Sequence, residues 1–136
     1  MKTNCDKIQI IKNQFLKKDN MIVLNNLDQN VFKIKRIFIV KENENIIRGK
    51  HSHIKCKQLL VCLEGKIKVI CDDGFKKKTF ILNSPNKSIL IPNNIWVTQK
   101  YPDEKNILKV CCDMDFSEKD YIRDYKTFLN YIANKK

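Results

Sequence analysis

From residue 31 to residue 113 the chain reads as strand after strand: short runs of β-branched and apolar residues, set apart by turn-forming residues. VFKIKRIFIVK (31–41) alternates apolar and basic side chains at period two, as a half-buried strand does. QLLVCL (58–63) is continuously apolar, and KIKVICDDG (66–74) alternates again, with Gly65 and Asp73-Gly74 as turn signals. KTFIL (78–82), SILIP (88–92), IWVTQ (95–99) and ILKVCCD (107–113) follow at a spacing of roughly ten residues, which points to a β-sandwich or small barrel. The end differs. In SEKDYIRDYKTFLNYIA (117–133) the apolar residues Tyr121, Ile122, Tyr125, Phe128, Leu129 and Ile132 fall at helical spacing, with Ser117 and Asp120 placed as a capping box. These residues are expected to form one terminal helix packed on the β-body, with Tyr121, Tyr125 and Phe128 serving that packing. No linker, repeat or low-complexity tract interrupts the 136 residues, so 1–136 is expected to be one domain.

Composition narrows the class. No apolar run approaches the roughly 20 residues of a membrane span, and MKTNCDKIQIIKNQ lacks the apolar core of a signal peptide. A cytoplasmic location without membrane attachment is the expectation. The six cysteines include no C-x-x-C spacing, and three lie inside apolar strand-like runs, so buried reduced thiols are expected rather than a disulfide framework or a zinc knuckle. The net charge of +12 raises the question of nucleic acid, but only Arg36, Arg48 and Arg123 are arginines and the lysines are scattered. A nucleic-acid partner is not expected; a phosphorylated or nucleotide-linked small molecule suits the same field.

RGKHSHIKCKQLLVCLEG (48–65) carries the only two histidines. On a strand, residues i and i+2 share a face, so a strand beginning at the motif turns His51 and His53 inward and Ser52 outward. Two imidazoles about 7 Å apart at the backbone could grip a metal, flank a substrate, or be bystanders at a loop–strand junction.

The frame His51-x-His53, four residues, Gln58, six residues, Gly65 resembles the first motif of the cupins, small double-stranded β-helix barrels, with Gln58 where metal cupins have glutamate. Pro92-Asn93-Asn94-Ile95-Trp96-Val97 resembles the second, with Val97 in place of the third histidine. Two imidazoles and an amide are a poor divalent-metal set, so no metal is expected and the pair reads as acid–base equipment. With the flanks KIKRIFIV, QLLVCLEGKIKVICDDG and DYIRDYKTFLNYI included, the chain resembles the nucleotide-sugar 3,4-ketoisomerases, a metal-independent cupin family.

That resemblance implies an all-β cupin jelly roll with one C-terminal α-helix, no cofactor, a homodimer, and a dTDP-linked 4-keto-6-deoxyhexose as substrate. It implies His51 as the proton shuttle between C3 and C4, with His53 its partner or support. Arg48, Arg36 and Gln58 would bind substrate, the arginines at sugar hydroxyls or the diphosphate. Trp96 is either core or the pocket mouth under a sugar or thymine ring. The chain departs from the family at Phe38, where a tyrosine is common, at Val97, where a polar residue often follows the tryptophan, and at Lys17-Lys18-Asp19-Asn20. A binding module that holds a nucleotide sugar without turnover, and a 3,5-epimerase, are the alternative readings.

Overall fold

The computed structural model describes residues 1–25 and 31–135. After a 3-10 turn (Asn4–Lys7) come β1 (Gln9–Lys12), β2 (Gln14–Lys18), β3 (Met21–Asn25), β4 (Arg36–Glu42), β5 (Ile46–His53) and β6 (Gln58–Glu64). β7 (Ile67–Asp72), β8 (Lys77–Leu82), β9 (Lys87–Ile91), β10 (Trp96–Tyr101) and β11 (Asn106–Cys112) follow. A second 3-10 turn (Glu118–Asp120), β12 (Tyr121–Ile122) and α1 (Tyr125–Asn134) complete the order. One antiparallel sheet runs β1-β9-β6-β11-β4, the other β12-β5-β10-β7-β8, and β2 pairs with β3 alone. This is the jelly roll with a single C-terminal helix that the sequence predicts.

Alternation builds the core. Leu60 and Cys62 on β6, Leu108 and Val110 on β11, Ile67, Val69 and Cys71 on β7, and Val97 on β10 meet between the sheets, all buried. Full burial of one such side chain is worth about 1.5–3 kcal/mol, so the row of them supplies the main cohesion. All six cysteines are buried and free, as expected for reduced core thiols. No described helix is long and apolar enough to cross a membrane.

Beyond β1 to β3, which the sequence reading does not foresee, three elements differ from it; the first is the strand read over 31–41, which runs only from Arg36 to Glu42. The histidine motif closes a strand instead of opening one: β5 starts at Ile46, after a turn in which Asn45 takes φ +63 and donates its N–H to the Tyr101 carbonyl. The helix starts at Tyr125, not at 117. Two starts compete for the helix, Ser117 with Asp120 three residues on and Asp124 with Thr127, and Asp124 holds the cap: its Oδ2 accepts from Thr127 N (2.9 Å) and Oγ1 (2.8 Å), while the Ser117 side chain caps nothing. Asp120 is used elsewhere, and Tyr121-Ile122 pair with β5 instead of entering the helix.

Candidate active site

β5 has two neighbours at its end, and both shape the site. β12 pairs Tyr121 with His53 and Ile122 with Ser52. On the other side, β10 pairs Val97 with His51 but Thr98 with Gly49, so Lys50 is an extra residue, bulged out at φ +58 beside Gly49 at φ +85. The bulge matters chemically. Residues three apart on a regular strand face opposite ways, yet Arg48 pairs with Gln99 and His51 with Val97, two inward residues of β10. The bulge therefore returns Arg48 and His51 to one face. A Cβ at residue 49 would stand 2.7 Å from the Val97 carbonyl oxygen, so only glycine fits. We expect Gly49→Ala to lower stability by about 1–3 kcal/mol, read as a shifted urea midpoint with unchanged slope.

The two imidazoles meet edge to face with centroids 5.1 Å apart, and the Tyr121 ring closes the cluster at 5.0 Å from His51 and 4.4 Å from His53. Arg123 lies over the Tyr121 ring at 4.2 Å, held by Glu118 at 3.0 Å. Burial, then the neighbouring His53, pushes His51 down to about 4, and the Gly49 carbonyl is a hydrogen-bond partner of its ring. His51 is thus an uncharged imidazole at neutral pH, with a ring nitrogen left to accept a proton. His53 sits deeper, 6 % exposed. Its Nδ1 lies 2.9 Å from Asp120 Oδ2, whose carboxylate also accepts from the backbone N–H groups of Lys55 (2.7 Å) and Cys56 (3.3 Å). Burial lowers the His53 pKa in spite of Asp120, so Nδ1–H donates to the carboxylate and Nε2, buried without a partner, carries the lone pair.

His53, Cys56 and Asp120 offer ligand atoms within 4.8 Å of one another, the only such group among the described residues. Their arrangement is that of a hydrogen-bonded cluster. Nδ1 and the carboxylate share a proton at 2.9 Å, and both Asp120 oxygens already accept backbone N–H groups. An ion would have to displace those bonds.

The facing wall comes from the other sheet. Arg36, Phe38 and Val40 alternate inward along β4, and Gln58 opens β6. Between the walls is a cavity of about 150 Å³ whose lining includes Arg48, His51, Gln58, Tyr121 and Arg123. Arg48 stands at its mouth, exposed and paired with Glu42 at 2.8 Å. A larger hollow of about 370 Å³, between the N-terminal segment and the end of α1, includes neither histidine.

The structure therefore gathers His51, Arg48 and Gln58 round one cavity, with His53 directly behind His51. Arg36 is on the same face of β4 as Phe38 and Val40, with its guanidinium beside Cys112 and Tyr121. Trp96 is not brought in. It stacks on Tyr125 and Phe128 of α1, at 5.3 and 5.8 Å, because it alternates with the inward Val97. Asp120, Tyr121 and Arg123 are site residues that the helical reading of 117–133 hid. The signal was there in a second capping pair, Asp124 with Thr127, which frees the residues before it.

Compared with known proteins, residues 1–133 match the family described as FdtA: WxcM-like, C-terminal. The chain is 34% identical over 103 residues to a TDP-4-oxo-6-deoxy-alpha-D-glucose-3,4-oxoisomerase of Aneurinibacillus thermoaerophilus, covering 75% of this chain and 74% of that protein. Among solved structures, a 3,4-ketoisomerase from Helicobacter canadensis superposes with a TM-score of 0.82 at 31% identity, over 93% of this chain and 98% of that one. A histidine-to-asparagine variant of the 3,4-ketoisomerase QdtA from Thermoanaerobacterium thermosaccharolyticum, in complex with TDP-4-keto-6-deoxyglucose, superposes with a TM-score of 0.85 at 26% identity, over 99% and 98%.

Proposed function

Since this chain belongs to the FdtA (WxcM-like, C-terminal) family of cupin-superfamily dTDP-4-keto-6-deoxyhexose 3,4-ketoisomerases, we propose that it moves the keto group of such a sugar from C4 to C3. The carrying observation is the pair of uncharged imidazoles, the outer one lining a small cavity and the deeper one tethered to a buried carboxylate.

The hydrogen on C3 is acidic because it lies α to the C4 ketone. His51 takes it, and the electron pair of the C3–H bond forms the C3=C4 double bond while negative charge gathers on O4. The same proton, or one from solvent, returns to C4 from His51; the hydroxyl proton of O3 moves to O4, and O3 becomes the ketone. We assign the oxygen-to-oxygen transfer to His53, which lies behind His51 and off the cavity lining, on its chemistry and not its position: Nε2 is unprotonated and Nδ1–H is anchored on Asp120. Arg48, Gln58 and Arg36 supply donors for the sugar and diphosphate oxygens, where charge-assisted bonds count most. Phe38 offers no phenol, but Tyr121 brings one to the same cavity from β12.

The test is incubation with TDP-4-keto-6-deoxyglucose in deuterium oxide, followed by proton NMR. A shifted ketone with deuterium at C4 is the expected product. A sugar that binds unchanged would make the chain a binding module instead. The pH dependence is a second check. Only neutral His51 can accept the C3 proton, and its pKa is pushed down to about 4 from an ordinary 6.5. Hence kcat is expected to stay level from neutral pH down to about 5, to halve near 4, and to fall about tenfold per pH unit only below that. A kcat already halved near 6.5 would show an unperturbed imidazole doing the work.

The same reading has residues 1–136 acting as one cupin domain within a homodimer. Ile10, Phe15, Leu16 and Met21 on the N-terminal strands, with Ile37 and Ile39 on the outer face of β4, stand exposed in a lone chain, which supports a covering partner. Light scattering that returned the mass of one chain would remove the dimer.

A further inference from the structure

Three polar side chains line up across the first sheet. The register sets Cys112 opposite Arg36 on β4 and opposite Gln58 on β6, and alternation turns all three toward the space between the sheets. Arg36 Nη2 donates to Cys112 Sγ at 3.4 Å and Gln58 Nε2 donates to it at 3.5 Å. The Cys56 thiol, whose S–H donates to the Lys57 carbonyl at 3.4 Å, lies beside the same sulfur. A neutral thiol is a weak acceptor and needs none of this. A guanidinium and an amide N–H converging on a fully buried sulfur are the surroundings of an anion.

The charge balance of Arg36 points the same way. Its guanidinium is partly buried beside the rings of Phe38 and Phe116, at 5.7 and 5.6 Å, and its Nε has no partner. Among the described residues no carboxylate lies within ion-pair distance of it. A cation sheltered from water requires a counter-charge.

We propose that Cys112 is held as a thiolate and is the counter-ion that positions Arg36 and Gln58 in the site. It is a positioning residue, acting through the two donors on either side of it. The catalytic consequence rests on the isomerase reading, because that reading makes Arg36 and Gln58 substrate donors; the charge of the sulfur does not.

The groups facing the sulfur are Arg36 from β4, Gln58 from β6, Cys56 from the loop before β6, and Tyr121 from β12, whose hydroxyl turns toward Arg36. Asp113 follows in the chain and accepts from the Lys57 N–H at 2.9 Å; Cys111 is its other chain neighbour. The acidic and phenolic groups oppose a thiolate, and the donors favour it. The donors prevail: the neighbouring Cys56 thiol, then Gln58 and Arg36, hold Cys112 below the usual thiol range against its burial, while the same contact and burial drive Cys56 up.

Thiolate ultraviolet absorbance, titrated for the full-length wild type and for Cys112→Ser, reads the sulfur directly. One thiolate equivalent at neutral pH, missing from Cys112→Ser, is the expected result. The folded wild type decides alone should the variant not fold, since denaturant is expected to remove that equivalent. With TDP-4-keto-6-deoxyglucose, Cys112→Ser should raise KM about tenfold and move kcat less, because two substrate donors lose their anchor. Cys112→Asp restores the negative charge at similar volume and should return KM toward wild type. Its kcat/KM should also hold to lower pH than that of the wild type, whose sulfur takes up a proton first. An aspartate variant as impaired as the serine variant overturns the proposal, as does a folded wild type without the thiolate signal. A thiolate signal in a chain that isomerises no sugar would count against the isomerase reading alone.

Discussion

Replacing His51 with asparagine is expected to lower kcat by a factor of about 10²–10⁴ while leaving TDP affinity within about threefold. Asparagine keeps a polar side chain of similar reach at the end of β5 but has no group that gains and loses a proton near neutrality. His51 is the histidine that lines the cavity, and the Gly49 carbonyl with the Lys50 bulge sets its direction. Nucleotide affinity should survive because Arg48 and Gln58 reach the cavity from other positions. Product formation followed by NMR, with TDP binding by calorimetry, separates the two effects. Turnover at the wild-type rate would take the proton-transfer role away from this residue.

Asp120→Asn is expected to act on both catalysis and stability, although Asp120 touches no reacting atom. Both of its oxygens are acceptors: Oδ1 for the Lys55 N–H, Oδ2 for His53 Nδ1–H and the Cys56 N–H. An amide must turn its NH2 toward one set or the other. Either a buried backbone N–H goes unpaired, or His53 is forced into the other tautomer with its proton on Nε2, where the lone pair is required. We expect kcat to drop by about 10²–10³, by analogy with a carboxylate that orients a catalytic histidine. Stability should fall by about 1–3 kcal/mol for each donor left unsatisfied, measured by urea unfolding. Nitrogen-15 NMR of the His53 ring supplies a readout that simple loosening would not produce, because the tautomer itself should change. A variant with wild-type kcat and an unmoved His53 tautomer would reduce Asp120 to a structural tie.

Much of this site could be read before any coordinates. The apolar and alternating runs from 58 to 113 match β6 to β11 within a residue or two, because strand-forming runs bounded by turn residues are a local property. His51-x-His53 shares a face for the same reason, and His51, Arg48 and Gln58 do line one cavity. The N-terminal strands β1 to β3 went unread: their apolar residues Ile10, Phe15, Leu16 and Met21 are exposed, so no in–out alternation marks them. The stretch 117–124 is not legible as strand because Ser117 with Asp120 imitates a helix start and the helical spacing runs on through Asp124. Sequence alone assigns Trp96 to neither side, since a residue beside an inward valine faces solvent or a covering helix according to what packs there.

The amino-acid order by itself determined what depends on near neighbours: strand runs, turns, the paired imidazoles, the cap at Asp124, and a frame specific enough to place the chain in its family. Tertiary structure alone decided what depends on partners far apart in the chain. Asp120 reaches His53 across 67 residues, Arg36 reaches Cys112 across 76, and Gln58 reaches Cys112 across 54. Lys50 bulges only because β10 shifts register beside it. Periodicity and propensity act over a few residues, whereas register is settled by competition among whole sheets for buried area, and a one-residue slip turns each side chain to the opposite face.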